Sequence, residues 1–444
     1  MGFFFAMFSL NDACGRAYDN IVLRGTCYFQ KRERSVKLIK IKTIKKGYRV
    51  TVTALSLTIG FLMTAVLGTQ ARLPDTVFLY GDQALPFSQL DGVRITGDTA
   101  ALSAGNTQVE LSLWGAVPIK TVSVSKTQNK TVLLSGEAVG VKAYTDGLIV
   151  VGLSQVTTAQ GSVNPAKDAG LKEGDIIRQI NGENAKRVTD FSAMIRQGKT
   201  LKLKVQRNQK QFSVTLQPVI SKDEGCYRLG LWLRDSCAGI GTMTYYDPQS
   251  NNFAMLGHGI YDCDTGILMT ISRGSVYDVD VTHVTRGSRG SAGELTGAFQ
   301  DTCLGTVSKN LDCGVYGTCA KKLTGIPVEV ASRMQVQCGS AQILCTVNGE
   351  APQYYQCEIV RLNKSIDNGE KGLIVRITDQ RLLDVTGGIV QGMSGSPIVQ
   401  NGKFVGAVTH VFLNDPTRGY GIFAENMLEA AQSVAEEKQL KEAS

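Results

Sequence analysis

Ser394 lies in Gly392-Met393-Ser394-Gly395-Ser396-Pro397, with a glycine close on either side of its hydroxyl. Glycines let a backbone take a tight, partly left-handed path that turns successive N–H groups toward one point. A serine on such a turn can attack a carbonyl carbon, and the N–H groups of Gly392 and Ser394 can hold the oxyanion that forms. This is acyl-transfer chemistry, and it needs a base. The chain has three histidines, His258, His283 and His410. His258, in Met255-Leu256-Gly257-His258-Gly259-Ile260, precedes Ser394 by 136 residues and is the expected base. His283 lies between strand-like runs, and His410 on the strand that leaves the serine loop. The base in turn needs a carboxylate to fix its tautomer and stabilise the imidazolium. Asp262, Asp264, Asp379 and Asp384 are candidates, and pattern alone does not separate them. Asp379 ends a strand-like run fifteen residues before Ser394.

These groups must be held by rigid elements. After the serine, Ile398–Gln400, the Asn401-Gly402 turn and Phe404–Val411 read as a hairpin. The chain is rich in glycine, with 48, and its many Val, Thr and Ile residues indicate turn-rich β structure. At 444 residues it must fold as more than one unit. Residues 219–444 read as short strands separated by Gly, Asn and Asp turns, with a helix from Ala424. The Ser394 loop resembles the Gly-Asp-Ser-Gly-Gly-Pro loop of chymotrypsin-like peptidases. That resemblance implies a double β-barrel, with His258 supplied by the first barrel and Ser394 by the second.

Residues 128–218 carry a second pattern. Asn164 to Phe191, NPAKDAGLKEGDIIRQINGENAKRVTDF, is similar to the heart of PDZ domains. The physics agrees with the likeness. A short helix over Pro165–Ala169 ends at Gly170, an apolar strand covers Ile176–Ile180, and Asn181-Gly182 makes a hairpin turn. A second helix is expected over Asp190–Gln197, then strands over Leu201–Val205 and Gln211–Leu216. PDZ grooves bind an extended peptide by adding it as a strand to a free edge. The expected edge is Gly147, Leu148 and Ile149, with Gly140, Val141 and Lys142 in place of the carboxylate-binding loop.

The net charge of +8 suggests nucleic acid until it is located. Residues 1–50 hold eleven Lys or Arg against three Asp or Glu, a surplus equal to that of the whole chain. The folded part is near neutral and lacks the basic footprint of a nucleic-acid binder. The charge instead flanks Val50–Gly68, nineteen residues without a charge that span about 28 Å as a helix. The expected layout is a basic cytoplasmic segment over 1–49, a signal anchor over 50–71, and the rest of the chain on the far side of the membrane. Residues 72–127 read as a small β region. Nine of the eleven Cys fall between Cys226 and Cys357, without the close pairs of a zinc site, and no metal or organic cofactor is expected.

The order of anchor, PDZ domain, GHGIYDCDTG and ITDQRLLDVTGGIVQGMSGSPIVQNGKFVGAVTHVF resembles the stage IV sporulation protein B family of serine peptidases. The likeness is nearly residue by residue over 373–428. It implies a triad of His258, Asp379 and Ser394, self-cleavage near the N-terminus, and export into the space around the forespore. It also implies cleavage of a membrane-bound regulator, on the way to activation of a late sigma factor. Expected partners are that protein substrate, a PDZ peptide ligand such as the chain's own N-terminal region, and the membrane. The competing readings are an envelope quality-control protease of the high-temperature-requirement type and a PDZ scaffold on an inactive peptidase fold.

Overall fold

The computed structural model describes residues 33–71, 73, 76–80, 85, 87, 92–96, 106–127, 130–349, 351–364 and 366–442. Most of the basic segment expected over 1–49 lies outside the described residues. Glu33–Gln70 forms one helix, α1. Its stretch Thr51–Gln70 is 20 residues with a mean hydropathy of 1.8, none of it buried in protein. Leu55, Leu57, Phe61, Met63 and Leu67 are all exposed there. Among the described residues this is the one helix long and apolar enough to cross a membrane.

Four strands form a separate sheet: β1 (Thr76–Tyr80), β2 (Val93–Thr96), β3 (Asn106–Leu113) and β4 (Val117–Thr127). Their order is β1-β4-β3-β2, with β1 and β4 parallel and the other pairs antiparallel.

The next strands are β5 (Thr131–Leu134) and the 16-residue β6 (Ala138–Leu153). A compact body follows, made of β7 (Val156–Thr158), β8 (Gly161–Val163), helix α2 (Pro165–Asp168), β9 (Ile176–Ile180) and β10 (Glu183–Asn184). Helix α3 (Val188–Arg196), β11 (Leu201–Arg207), β12 (Lys210–Leu216), β13 (Val219–Ile220) and β14 (Tyr227–Arg228) complete it. Asn164 caps α2, its side chain accepting from the Lys167 N–H, and Pro165 sits at the first turn where its missing N–H costs nothing. Leu148, Val150, Leu171, Ile177, Phe191 and Leu203 make the core of this body.

The chain then returns through the 17-residue β15 (Leu231–Asp247), β16 (Asn252–Met255), β17 (Ile271–Thr285), β18 (Glu294–Leu311) and β19 (Gly314–Cys319). The pairings β6–β15, β15–β16, β16–β19, β19–β18, β18–β17 and β17–β6 close a ring of six strands. Val139, Val141, Met243, Phe253, Met255 and Val276 fill it. After β20 (Ile326–Val330), a second ring follows: β21 (Gly339–Cys345), β22 (Gln353–Leu362), β23 (Leu373–Ile377), β24 (Pro397–Gln400), β25 (Lys403–Phe412) and β26 (Asp415–Phe423). It closes in the order β21-β22-β23-β26-β25-β24. Helix α4 (Gln380–Thr386) sits between β23 and β24, and α5 (Ala424–Glu442) ends the described chain.

The boundary expected at residue 218 is therefore not where the bodies meet. The first barrel already begins at Ala138, because the early half of β6 pairs with β15 and β17. The PDZ-like body is inserted into that barrel. Both long strands pass through it: Ile149–Leu153 of β6 pairs with Leu231–Arg234 of β15. A strand of 16 or 17 residues is far longer than the usual five or six, and here each serves two cores in succession.

Candidate active site

The two barrels each contribute one end of a cleft. His258 follows β16 of the first barrel, and Ser394 precedes β24 of the second. Both line a cavity of about 490 Å³ together with Gly392, Ile240, Gly241, Leu256 and Tyr261.

The serine loop is locked against the first barrel. Thr242 donates its N–H to the Ser394 carbonyl at 2.9 Å, and its hydroxyl to the Gly392 carbonyl at 2.8 Å. The Thr244 hydroxyl bonds the Gly395 carbonyl at 2.7 Å. Gly395 has φ +97°, and a Cβ there would lie 2.2 Å from the Thr242 carbonyl oxygen, so no other residue fits without moving the strand. Met393, wholly buried, pins the loop from below. The N–H groups of Gly392 and Ser394 have no hydrogen-bond partner among the described residues. Two free donors two residues apart on a glycine turn are the geometry an oxyanion needs. The Ser394 hydroxyl donates to the Thr409 carbonyl at 2.6 Å. It is parked on β25 and must rotate to meet a base.

His258 Nδ1 stands 2.8 Å from the Gly259 carbonyl oxygen. A carbonyl only accepts, so Nδ1 carries the proton and Nε2 keeps its lone pair, the tautomer a general base requires. Burial pushes the His258 pKa below its ordinary value, although the Gly259 bond and the charge of Glu370 act in the other direction. His410, on β25, stacks against it with ring centroids 4.6 Å apart. Burial, His258 and Lys371 hold His410 down at about 4. Its Nδ1 is buried without a partner among the described residues. Both rings are thus neutral at neutral pH. His283 is exposed on β17, away from the cleft.

The four aspartates have other partners, although Asp262 lines the same cavity as His258 and Ser394. Asp379 caps α4, accepting from the Arg381 N–H at 3.0 Å. It also accepts from the Gln356 N–H at 3.0 Å and the Arg381 guanidinium at 2.8 Å. The bond from Arg381, with those N–H groups, holds the Asp379 carboxyl down at about 2. Asp262 accepts from the Thr265 N–H and hydroxyl and from Arg234. Asp264 takes the other arm of Arg234 at 2.6 Å, and Asp384 accepts from Gln380 at 2.7 Å. The structure brings Ser394 and His258 into one cleft and leaves Asp379 bonded to Arg381 and the Gln356 backbone. The carboxylate whose charge acts on His258 is Glu370. Its Oε2 is buried without a partner among the described residues, and its carbonyl accepts from the Thr409 hydroxyl at 3.0 Å. Sequence reading missed Glu370 because Ile366–Lys371 is a short 3-10 segment kinked at Gly369, between strands, with no motif to mark it.

The residues expected to form a peptide-binding edge are internal. Gly140, Val141 and Lys142 pair with β15 on one side and β17 on the other. Ile149 pairs with both β15 and β9, and Leu148 with β9, while Gly147 closes against the Ile177 carbonyl. A strand bonded on both sides cannot accept a third. Among the described residues no group of three or more His, Cys, Asp or Glu is arranged to hold a metal ion. All nine described cysteines are free thiols. Burial raises Cys319 and Cys357 to about 12, and Cys345 further still.

Comparison with known proteins gives two family matches. Residues 225–428 match the family described as SpoIVB peptidase S55, and residues 162–207 match the PDZ domain. Among solved structures, the PDZ domain of the SdrC-like protein of Listeria monocytogenes is 26% identical. That match covers 20% of this chain and 87% of the other, with a TM-score of 0.17. The Rv3671c protease of M. tuberculosis, in its inactive form, is 12% identical over 44% of this chain and 84% of its own, with a TM-score of 0.27. The HtrA-type protease AlgW with a decapeptide is 11% identical over 46% of this chain and 55% of its own, with a TM-score of 0.29.

Proposed function

We propose that this chain, a serine endopeptidase with a PDZ domain whose residues 225–428 match the SpoIVB peptidase S55 family, is a regulatory peptidase anchored in a membrane. It cuts itself near its N-terminus and then a membrane-bound regulator, in the sporulation signalling that leads to late sigma-factor activation. Its folded domains lie on the extracytoplasmic side, which the cationic flank of Thr51–Gln70 supports.

The mechanism is acyl transfer. Nε2 of His258 takes the Ser394 proton as Oγ attacks the scissile carbonyl. The oxyanion rests on the Gly392 and Ser394 N–H groups. The proton passes to the leaving amine, and water repeats the sequence on the acyl-enzyme. The observation that carries this reading is the pairing in one cleft of a serine with two free N–H donors and a histidine whose Nδ1 is already committed. The family resemblance would assign the third member of the triad to Asp379, which in this structure is bonded to Arg381 and the Gln356 N–H. Glu370 is the carboxylate whose charge reaches His258 in this structure.

The test is to incubate the full chain in detergent, as wild type, Ser394→Ala and His258→Ala. Intact mass is followed, with a fluorophosphonate probe in parallel. Truncation and labelling confined to the wild type support the reading. Labelling of Ser394→Ala at the wild-type rate sinks it.

A further inference from the structure

β15 has one free edge along eleven residues. From Leu231 to Gly241 it pairs with β6 on one side, and no described strand pairs with the other. That edge begins in the PDZ domain and ends at the nucleophile. At its end Thr242 takes the Ser394 carbonyl, so the open edge stops where the serine loop starts. Ser236, Cys237, Ala238, Gly239, Ile240 and Gly241 line the catalytic cleft itself.

The start of the edge is built differently. Leu229 and Gly230 give their carbonyl oxygens to Ala166 and Ser154, and leave both N–H groups without a partner among the described residues. Gly230 has φ +70°, with the Ser154 carbonyl 2.3 Å from where a Cβ would stand. Successive free N–H groups on a left-handed turn make a cradle for an anion. Past this turn the edge faces α3. The Asp235 carboxylate accepts from the Val188 N–H, the first of that helix, at 3.0 Å. Leu231, Leu233, Val188, Met194 and Ile195 are each only half-buried, and all pack on the PDZ core. This is an apolar trough beside an open strand edge, headed by an anion cradle, and it is the arrangement that captures a peptide C-terminus.

Building on the peptidase reading above, we propose that the PDZ trough and the catalytic cleft are one binding track for one polypeptide. The substrate is an extended segment whose free C-terminal carboxylate sits at the Leu229-Gly230 turn and whose scissile bond reaches Ser394. A carboxylate held at the start of β15 sends the peptide back along the strand toward Gly241. Eleven residues at about 3.3 Å each make a track of about 35 Å. The bond cut is then about ten residues before the substrate's C-terminus, and the product released on that side is a peptide of about that length. Arg234 holds the track in register with the catalytic histidine: it pairs with Asp262 and Asp264, in the loop that follows His258.

The experiment uses the full chain in detergent and a pool of randomised peptides about twenty residues long, as free acids and as C-terminal amides. Products are sized by mass spectrometry, with Ser394→Ala as the blank. The expected result is that free acids release C-terminal pieces clustered at about eight to twelve residues, and that amidation lowers the cleavage rate about tenfold and broadens the cluster. Pieces of every length from the free acids, or amides cut as fast as acids, overturn the shared track. An enzyme that takes the fluorophosphonate label yet cuts neither pool also overturns it, while the peptidase reading stands. An enzyme that neither labels nor cuts overturns the peptidase reading itself.

Discussion

His258 and His410 are held neutral by burial, and this has two consequences at the scale of single residues. An unfolded chain takes up a proton at each ring near pH 6.5, whereas folded His410 does so only near 4 and His258 below its ordinary value. Below pH 6.5 the unfolded state therefore binds more protons, and stability falls as the pH drops from 6.5 toward 4. Activity needs His258 neutral, so the acid limb of kcat/KM should lie below pH 6.5, and a limb above it would contradict the buried, singly committed imidazole. Asp379 is the second case. Asn is as good a helix cap as Asp, so Asp379→Asn should keep α4 and much of the activity. Asp379→Ala should lose about 1 kcal/mol of stability in denaturant unfolding. An Asn variant as inactive as Ser394→Ala would instead establish the triad role that the resemblance implies.

At the scale of elements, buried ion pairs fix the parts that carry the site. Arg333 and Glu425 meet at 2.6 Å with side chains 3% and 1% exposed, and so clamp the start of α5 to the second barrel. Burial still raises the Glu425 pKa despite its partner, so a lone Glu425 would be costly. Arg333→Met should destabilise the chain by about 3 kcal/mol or more. The double variant with Glu425→Leu should recover most of that loss in the same unfolding measurement. Arg234 acts on the other barrel. Its loss leaves the fully buried Asp262 without its cation, and the loop after His258 is freed from the PDZ strand. Arg234→Ala should slow fluorophosphonate labelling of Ser394 severalfold, with a melting temperature lowered by only a few degrees. An unchanged labelling rate would show that this link does not position His258.

At the scale of the whole molecule, the apolar stretch Thr51–Gln70 has no protein cover and matches a bilayer core in length. The full chain should stay with the membrane fraction through alkaline carbonate washing. Deleting Thr51–Gln70 should release it to the supernatant with labelling by the fluorophosphonate intact. A deleted chain that remains in the pellet as folded protein would remove the anchor from the account. The nine described cysteines are free thiols, and several are buried deep enough to resist ionisation.

What the sequence determined was local. Glycine spacing around Ser394 dictated a tight turn with converging N–H groups, and the Asn-Pro and Asn-Gly signals around 164–182 dictated the PDZ turns. The uncharged run before Gly68 dictated a helix of membrane length. Those features depend on neighbours a few residues away. What it did not determine was which strands close a ring, because pairing partners such as Val139 and Asp278 lie well over a hundred residues apart and alternate equally well on several faces. Hence the edge expected at Gly147–Ile149 lies inside the sheet, and the open edge is β15, whose residues read only as one more apolar run. Hence too the domain boundary lies within two long strands rather than between domains. Asp379, Asp262, Asp264 and Asp384 were equivalent in sequence. The fold separated them by giving each its own cation, amide or hydroxyl, and brought the charge of Glu370 within reach of His258, because charge interactions depend on distance through space and not along the chain.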